Sequence, residues 1–205
     1  MDKETIILDL GCGDNKIPNA VGLDNAPLEG VDVVHDLLDV PYPFEPKAAQ
    51  TIFLRHVIEH FELANIQTIL RESFRILADD GRLFVSVPHV FSAAAWADPT
   101  HRMAFTFESG KFFDEQSSKA YYRELETRWK LIKTTARVTW FNWKRYRLRQ
   151  LDRLFSRFIQ AWLNWLLKLP NFPGSADLLV KLLPLYFVEI SWEFAKTSIT
   201  EDKDN

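Results

Sequence analysis

Three short apolar runs near the start of the chain, each stopping abruptly on glycine or aspartate, constrain its fold more than any other feature. Residues 5–10 (TIILDL) close on Gly11-Cys12-Gly13, residues 20–24 (AVGLD) close on Asp24, and residues 31–36 (VDVVHD) close on Asp36. Two more runs follow, 50–55 (QTIFLR) and 83–87 (LFVSV), the latter halted by Pro88. Continuous apolar runs of this length suit parallel strands buried on both faces. In such a sheet the ends of successive strands share one carboxyl edge, where α/β folds bind their ligands. Each residue type at that edge has its own use. Glycines at the first turn bring backbone N–H groups close to a ligand. A carboxylate at Asp24 can accept the hydroxyls of a ribose, and Asp36 can take an exocyclic amine while Leu37 packs on a purine face. A lone GxG is a weak signal, but the ordered set of three strand ends is a strong one.

Helices are scarce in the front half. Phe61, Ala64, Ile66, Ile69, Leu70, Phe74 and Leu77 recur at helical spacing, with Asp80-Gly81 as the expected stop. The chirality rule makes the crossover between the fourth and fifth strands right-handed. Earlier connections are brief, and Pro18, Pro27, Pro41, Pro43 and Pro46 punctuate them. A parallel sheet so thinly covered would expose a large apolar face. The expected cover lies between two late strands, 131–140 and 185–196. There Leu148, Leu151, Leu154, Phe155, Phe158, Ile159, Trp162, Leu163 and Leu166 follow helical steps, and a second short helix is expected at 176–183. Residues 1–140 and 185–205 are thus expected to form one Rossmann-like domain. The segment 141–184 is a helical insertion that packs on the sheet, forms a homodimer, or touches a membrane surface.

Charge is unevenly distributed. The net charge is −3 over 205 residues, yet residues 1–100 carry −9 and residues 101–205 carry +6. Residues 121–157 hold 11 bases against Glu124, Glu126 and Asp152. A positive patch facing an anionic partner is one meaning; the wet face of a helix is the plainer one. The aromatic-basic stretch 140–149 (WFNWKRYRLR) fits packing beneath arginine stems or dimerisation, then an anionic lipid or lipid-linked substrate. Nucleic acid ranks last, since no known RNA-binding module is visible. A single cysteine excludes an intrachain disulfide and Cys-rich zinc sites. With no signal-peptide pattern and no run of about 20 apolar residues, the expected location is the cytoplasm, with peripheral contact at the inner membrane face left open.

At this point the chain resembles the class I S-adenosylmethionine-dependent methyltransferases. LDLGCGDNK is similar to their glycine motif, GLD to their ribose-binding acidic motif, and VVHDLLDVPYPF to their adenine-contacting segment. HVIEHF is similar to the signature of the small-molecule branch, and ESFRILADDGRLFVSVPH to the following helix and fifth strand. The resemblance runs from residue 5 to about 113. It implies seven strands, mostly parallel with the last antiparallel, and S-adenosyl-L-methionine as cofactor. It places Leu10, Gly11, Cys12 and Gly13 at the methionine part, Asp24 on the ribose, Asp36 with Leu37 at the adenine, and Leu54, Arg55 and His56 near the methionine amine, with Asp9 and Asn25 also expected to bind the cofactor. Asn15 stands where many members have a third glycine, and Gln50 where an aspartate often opens the fourth strand. The short loops resemble a compact bacterial subgroup linked to glycan and secondary-metabolite acceptors. Pocket closure is expected from 90–120 or 141–184.

An oxygen or nitrogen acceptor needs its proton removed, by His or a carboxylate. His101 is the candidate base, with Asp98 three residues earlier as its orienting partner; the alternative is that Asp98 caps a turn. His60 is expected to steady the acceptor side, His89 is a lesser base candidate, His56 a pocket wall and His35 structural. His56 and His60 stand four apart but lack a third ligand in the sequence pattern, so no metal is expected. The reading is methyl transfer to oxygen or nitrogen of a small-molecule or glycan-type acceptor. Its rivals are a catalytically silent, cofactor-binding partner subunit and a membrane-surface binding protein.

Overall fold

The computed structural model describes residues 6–115, 128–139, 149–168 and 187–197. Seven strands form one sheet: β1 (Ile6–Leu10), β2 (Val21–Asp24), β3 (Val33–Val34), β4 (Ala49–Arg55), β5 (Leu77–Pro88), β6 (Trp129–Thr139) and β7 (Phe187–Lys196). Their order is β3-β2-β1-β4-β5-β7-β6, with β7 antiparallel to both neighbours and the first five strands parallel. The order reverses direction between β1 and β4, and that switch point opens a crevice beyond the strand ends. The helices are α1 (Leu63–Ile76), α2 (Ala94–Ala97) and α3 (Arg149–Leu166), with 3₁₀ turns at Ile58–His60 and Ser109–Phe113.

Among the described residues, apolar packing closes one face of the sheet. Leu8, Leu10, Ile52, Leu54, Leu83, Val85, Ile190, Trp192 and Phe194 are fully buried and lie in register with one another. The alternate residues are half-buried and largely polar, which corrects the expectation of strands apolar on both sides. On that second face Phe53 stacks on Phe84 at 5.2 Å, Ser86 and Ser191 share a 2.9 Å hydrogen bond, and Arg82 faces Glu193 at 3.5 Å. A face with its own polar partners does not require a helix over it.

Local side chains explain the brief connections. The Asp32 carboxylate accepts from Gly22 N and Lys16 Nζ, both at 2.7 Å, which occupies the region before β3 and leaves that strand two residues long. Glu72 and Arg75 on α1 bind the proline-rich loop: Tyr42 N donates to Glu72 at 2.7 Å, and Arg75 donates to the Tyr42 and Phe44 carbonyls. The helix ends at Ile76 rather than at Asp80-Gly81, because Leu77 turns extended and pairs with Ala49. The Asp79-Asp80-Gly81 stretch is instead absorbed as a register shift inside β5.

The described part of the insertion, α3, packs against β6, the open edge of the sheet. Ile159 and Leu163 are buried there. Asn164 accepts from Ala136 N at 2.6 Å and donates to Ala136 O at 3.1 Å, a two-point pairing that occupies outward-facing edge groups. Residues 140–148 and 169–186, which include most of the aromatic-basic stretch and the expected second helix, lie outside the described residues.

Candidate active site

The glycine turn after β1 is built from unusual backbone. Gly11 has φ of 69° and Gly13 of 55°, values that L side chains rarely adopt. A Cβ on Gly11 would also lie 2.6 Å from a methyl of Val57. Two carboxylates hold the turn. Asp9, fully buried, accepts from Ile17 N at 2.8 Å and forms an ion pair with Arg55 at 2.7 Å. Asp24 accepts from Gly13 N at 2.8 Å with one oxygen and from Ala26 N at 3.1 Å with the other. Each Asp24 oxygen keeps acceptor capacity for a ligand.

These elements enclose a cavity of about 280 Å³ lined by Gly11, Asp24, Asn25, Asp36, Leu37, His56, Val57, His60 and Phe61. Six of the expected cofactor residues therefore meet in one place: Gly11, Asp24, Asn25, Asp36, Leu37 and His56. The other five lie around it. Leu10 is in the core, Cys12 is buried with its thiol pushed up chiefly by that burial, Gly13 caps Asp24, and Asp9 with Arg55 forms the clamp beneath the turn. Val57 and Phe61 complete the lining; Val57 reaches it only through its contact with Gly11 in space, and Phe61 stands at the entry to α1.

His56 leaves β4 with φ of 56°, a left-handed conformation rare for a residue with a Cβ. Its Nε2 lies 2.9 Å from Glu189 on β7 and its Nδ1 3.3 Å from Glu59. Bonding to Glu189 and then to Glu59 raises its pKa to about 9, so the ring is an imidazolium at neutral pH.

Beyond the cavity, the segment 89–103 returns over the Ile58–His60 turn. Arg102 N and Met103 N both donate to the Glu59 carbonyl, at 2.7 and 3.0 Å. This brings His101 against His60, with ring centroids 4.7 Å apart and nearly perpendicular. The expected Asp98–His101 pair is not formed. Asp98 Oδ1 accepts from Thr100 N at 2.8 Å and from Thr100 Oγ1 at 2.7 Å, a turn-capping role, while His101 Nδ1 bonds to the Ala95 carbonyl at 3.0 Å. Asp98 instead reaches His60, through Thr100 Oγ1, which lies 2.8 Å from His60 Nδ1. The Thr100 hydroxyl bonds hold the Asp98 carboxyl below the usual range. His89 is fully buried, with Nδ1 accepting from Phe91 N and its ring 4.7 Å from Phe107, away from the role of an accessible base. His35 bonds to the Asp39 carbonyl at 2.6 Å.

Sheet order, reversed seventh strand and a glycine turn facing two aspartates define a Rossmann-like methyltransferase. A family model described as a methyltransferase domain matches residues 2–168, and the chain belongs to that family. No curated protein matches it. Among solved structures, a SAM-dependent methyltransferase from Archaeoglobus fulgidus superposes with a TM-score of 0.57 at 16% identity, over 95% of this chain and 87% of that one. The YcgJ protein from Bacillus subtilis superposes with a TM-score of 0.51 at 15% identity, over 96% and 93%. The protein is an S-adenosylmethionine-dependent methyltransferase of the mostly parallel, seven-stranded type. Its acceptor is a small molecule or a macromolecule. No described helix is long and apolar enough to cross a membrane.

Proposed function

We propose that this enzyme transfers the methyl group of S-adenosylmethionine to an oxygen or nitrogen of a small-molecule or glycan-type acceptor bound between the cavity and the 89–103 segment. The observation that carries the reading is the convergence of Gly11, Asp24, Asn25, Asp36 and Leu37 on one cavity whose far wall is His60. The cavity suits an adenosyl group: a glycine backbone, two carboxylates for hydroxyls and amine, and a leucine for the base. The sulfonium is an intrinsically reactive donor, so alignment of the acceptor supplies much of the rate. His60 and His101 each bond through Nδ1, to Thr100 and to the Ala95 carbonyl, and so keep Nε2 for the acceptor. Trp96, 70% exposed, and Phe91, 44% exposed, sit on the same segment and offer flat faces to a sugar-like ring. That pair favours the glycan-type acceptors of the compact bacterial subgroup. Calorimetry with S-adenosylmethionine tests the site: Asp24→Ala weakens binding by roughly 1.5–3 kcal/mol, the loss of a charge-assisted hydrogen bond. Unchanged affinity would place the cofactor elsewhere.

A second reading concerns location. Phe158, Trp162 and Trp165 recur at i, i+4 and i+7 on α3 and are exposed, with Arg157 and Lys168 exposed beside them. Aromatic side chains flanked by bases on a surface helix fit an anionic lipid surface. On this reading the Rossmann-like part (1–140 and 185–205) carries the chemistry and the insertion (141–184) holds the enzyme at the inner membrane face. Flotation with anionic vesicles, lost in the Trp162→Ala, Trp165→Ala double variant, supports it. Absence of flotation with a concentration-dependent dimer assigns the stripe to self-association instead.

A further inference from the structure

We propose that Glu59, His60 and His101 form a binding site for one divalent metal ion of the zinc class, placed to hold the acceptor oxygen; the proposal rests on the methyl-transfer reading above. One carboxylate oxygen of Glu59 and one ring nitrogen from each histidine lie within 4.8 Å of one another. Sequence spacing sets His56 and His60 four apart with no third ligand, and no metal is expected there. In space His101 replaces His56, which is occupied by Glu189 and Glu59.

The hydrogen bonds around the two rings leave each with one nitrogen, Nε2, that can ligate. The Thr100 hydroxyl donates its proton to Asp98, so toward His60 it can only accept. His60 Nδ1 therefore carries the hydrogen, and its Nε2 holds a lone pair. The Ala95 carbonyl likewise can only accept, which puts the hydrogen of His101 on Nδ1 and a lone pair on its Nε2. Metal-binding histidines characteristically donate the second N–H to a carboxylate or backbone carbonyl in this manner, which fixes tautomer and ring orientation. Here a carboxylate relayed by a hydroxyl serves one ring and a carbonyl serves the other.

Glu59 supplies the independent observation. Its side chain is 0% exposed, and among the described residues its carboxylate has no hydrogen-bond partner beyond the 3.3 Å contact of Oε1 with His56 Nδ1. The same His56 ring also lies 2.9 Å from Glu189, so it does not serve Glu59 alone. A buried carboxylate without hydrogen bonds is costly unless something else satisfies it.

Two imidazoles and a carboxylate are the donors of catalytic zinc sites and of related borderline metals, whereas magnesium and calcium prefer oxygen alone. Three protein ligands leave a coordination position open, and His60 already lines the cofactor cavity. The acceptor class is thus an ionisable hydroxyl. Bound to the metal, the hydroxyl loses its proton to solvent. Its oxygen forms a bond to the methyl carbon as the carbon–sulfur bond breaks, and that electron pair stays on sulfur, giving the methyl ether and S-adenosylhomocysteine.

The test is equilibrium dialysis of the purified full chain against zinc, with elemental analysis, and cobalt(II) as a spectroscopic substitute. The wild type binds one ion per chain, and the cobalt form shows the visible absorption of a low-coordinate site. His101→Ala and His60→Ala each weaken binding by about tenfold or more, while His35→Ala leaves it unchanged. Glu59→Gln follows the histidine variants; should it fail to fold, those two decide. No bound zinc, or binding indifferent to His60 and His101, overturns the proposal. Calorimetry with S-adenosylmethionine on the same samples separates the two claims: cofactor binding without metal leaves methyl transfer standing, and no cofactor binding in the wild type sinks the underlying reading whatever the metal result.

Discussion

The two sides of the active site treat their polar groups in opposite ways. At the ends of β1, β2 and β3 the carboxylates are engaged by the chain itself. Asp9 takes Ile17 N and Arg55, Asp24 takes Gly13 N and Ala26 N, and Asp36 takes Leu38 N. Across the cavity, His60 and His101 each engage one ring nitrogen, and Glu59 engages only an ion pair. The first side is a scaffold in which the same groups hold the backbone and face the ligand. The second is poised for a partner the polypeptide does not supply. Substitutions should therefore cost stability on the cofactor side and turnover on the acceptor side.

The largest effect is expected at Asp9. Replacing it by alanine leaves the Arg55 guanidinium and the Ile17 N–H without their buried acceptor, and a buried ion pair broken on one side destabilises by several kcal/mol. Arg55 retains some exposure, so about 3 kcal/mol in a urea titration is the expectation, at the low end of that range. Cofactor affinity should fall with it, because Gly11 and Gly13 depend on the same turn. A loss under about 1 kcal/mol would remove the scaffold half of the contrast.

The same asymmetry governs what the sequence reveals. Strand ends and the Gly–Asp–Asp series are legible because an apolar run broken by glycine or aspartate has few other meanings in an α/β chain. The polar second face was obscured because Thr51, Phe53 and Arg55 sit one residue out of step with Ile52 and Leu54, and a short run reads as uniformly apolar. The end of α1 was misplaced because Asp80-Gly81 is a good stop, whereas the pairing of Leu77 with Ala49 is a tertiary event. The Asp98–His101 pair follows naturally from a spacing of three, but hydrogen bonds from Thr100, two residues from Asp98, win locally. The burial of Glu59 left no mark in sequence, since an acid at the start of a helical turn is common. The function of the scaffold side is written locally; that of the acceptor side depends on segments distant along the chain.

Thr100 offers the sharper test of the second half. It is a positioning residue: its hydroxyl transmits Asp98 to His60 and does not itself line the cofactor cavity. Thr100→Val should lower kcat by about tenfold, leave KM for S-adenosylmethionine unchanged, and move the urea stability by no more than about 0.5 kcal/mol. Thr100→Ser, which keeps the hydroxyl, should restore kcat. A stability loss as large as the kinetic one, or no rescue by serine, would mean that this side is scaffold as well.

The smallest expected effect lies where the two sides meet. His56 lines the cavity and pairs with Glu189 and Glu59, whose bonds raise its pKa from the ordinary 6.5 to about 9. Between those values the folded chain keeps a proton that the unfolded chain has released, so folding stability falls as pH rises. The contribution is complete below about pH 6.5 and gone once the pH has passed about 9. The ring is partly exposed, and solvent screening limits the size of the effect. Urea titrations of the wild type and His56→Gln from pH 6 to 9.5 should therefore converge toward the alkaline end, with the wild type losing its advantage. Curves that stay parallel would show that the imidazolium does not couple the sides, leaving Glu59 with no protein cation to balance it.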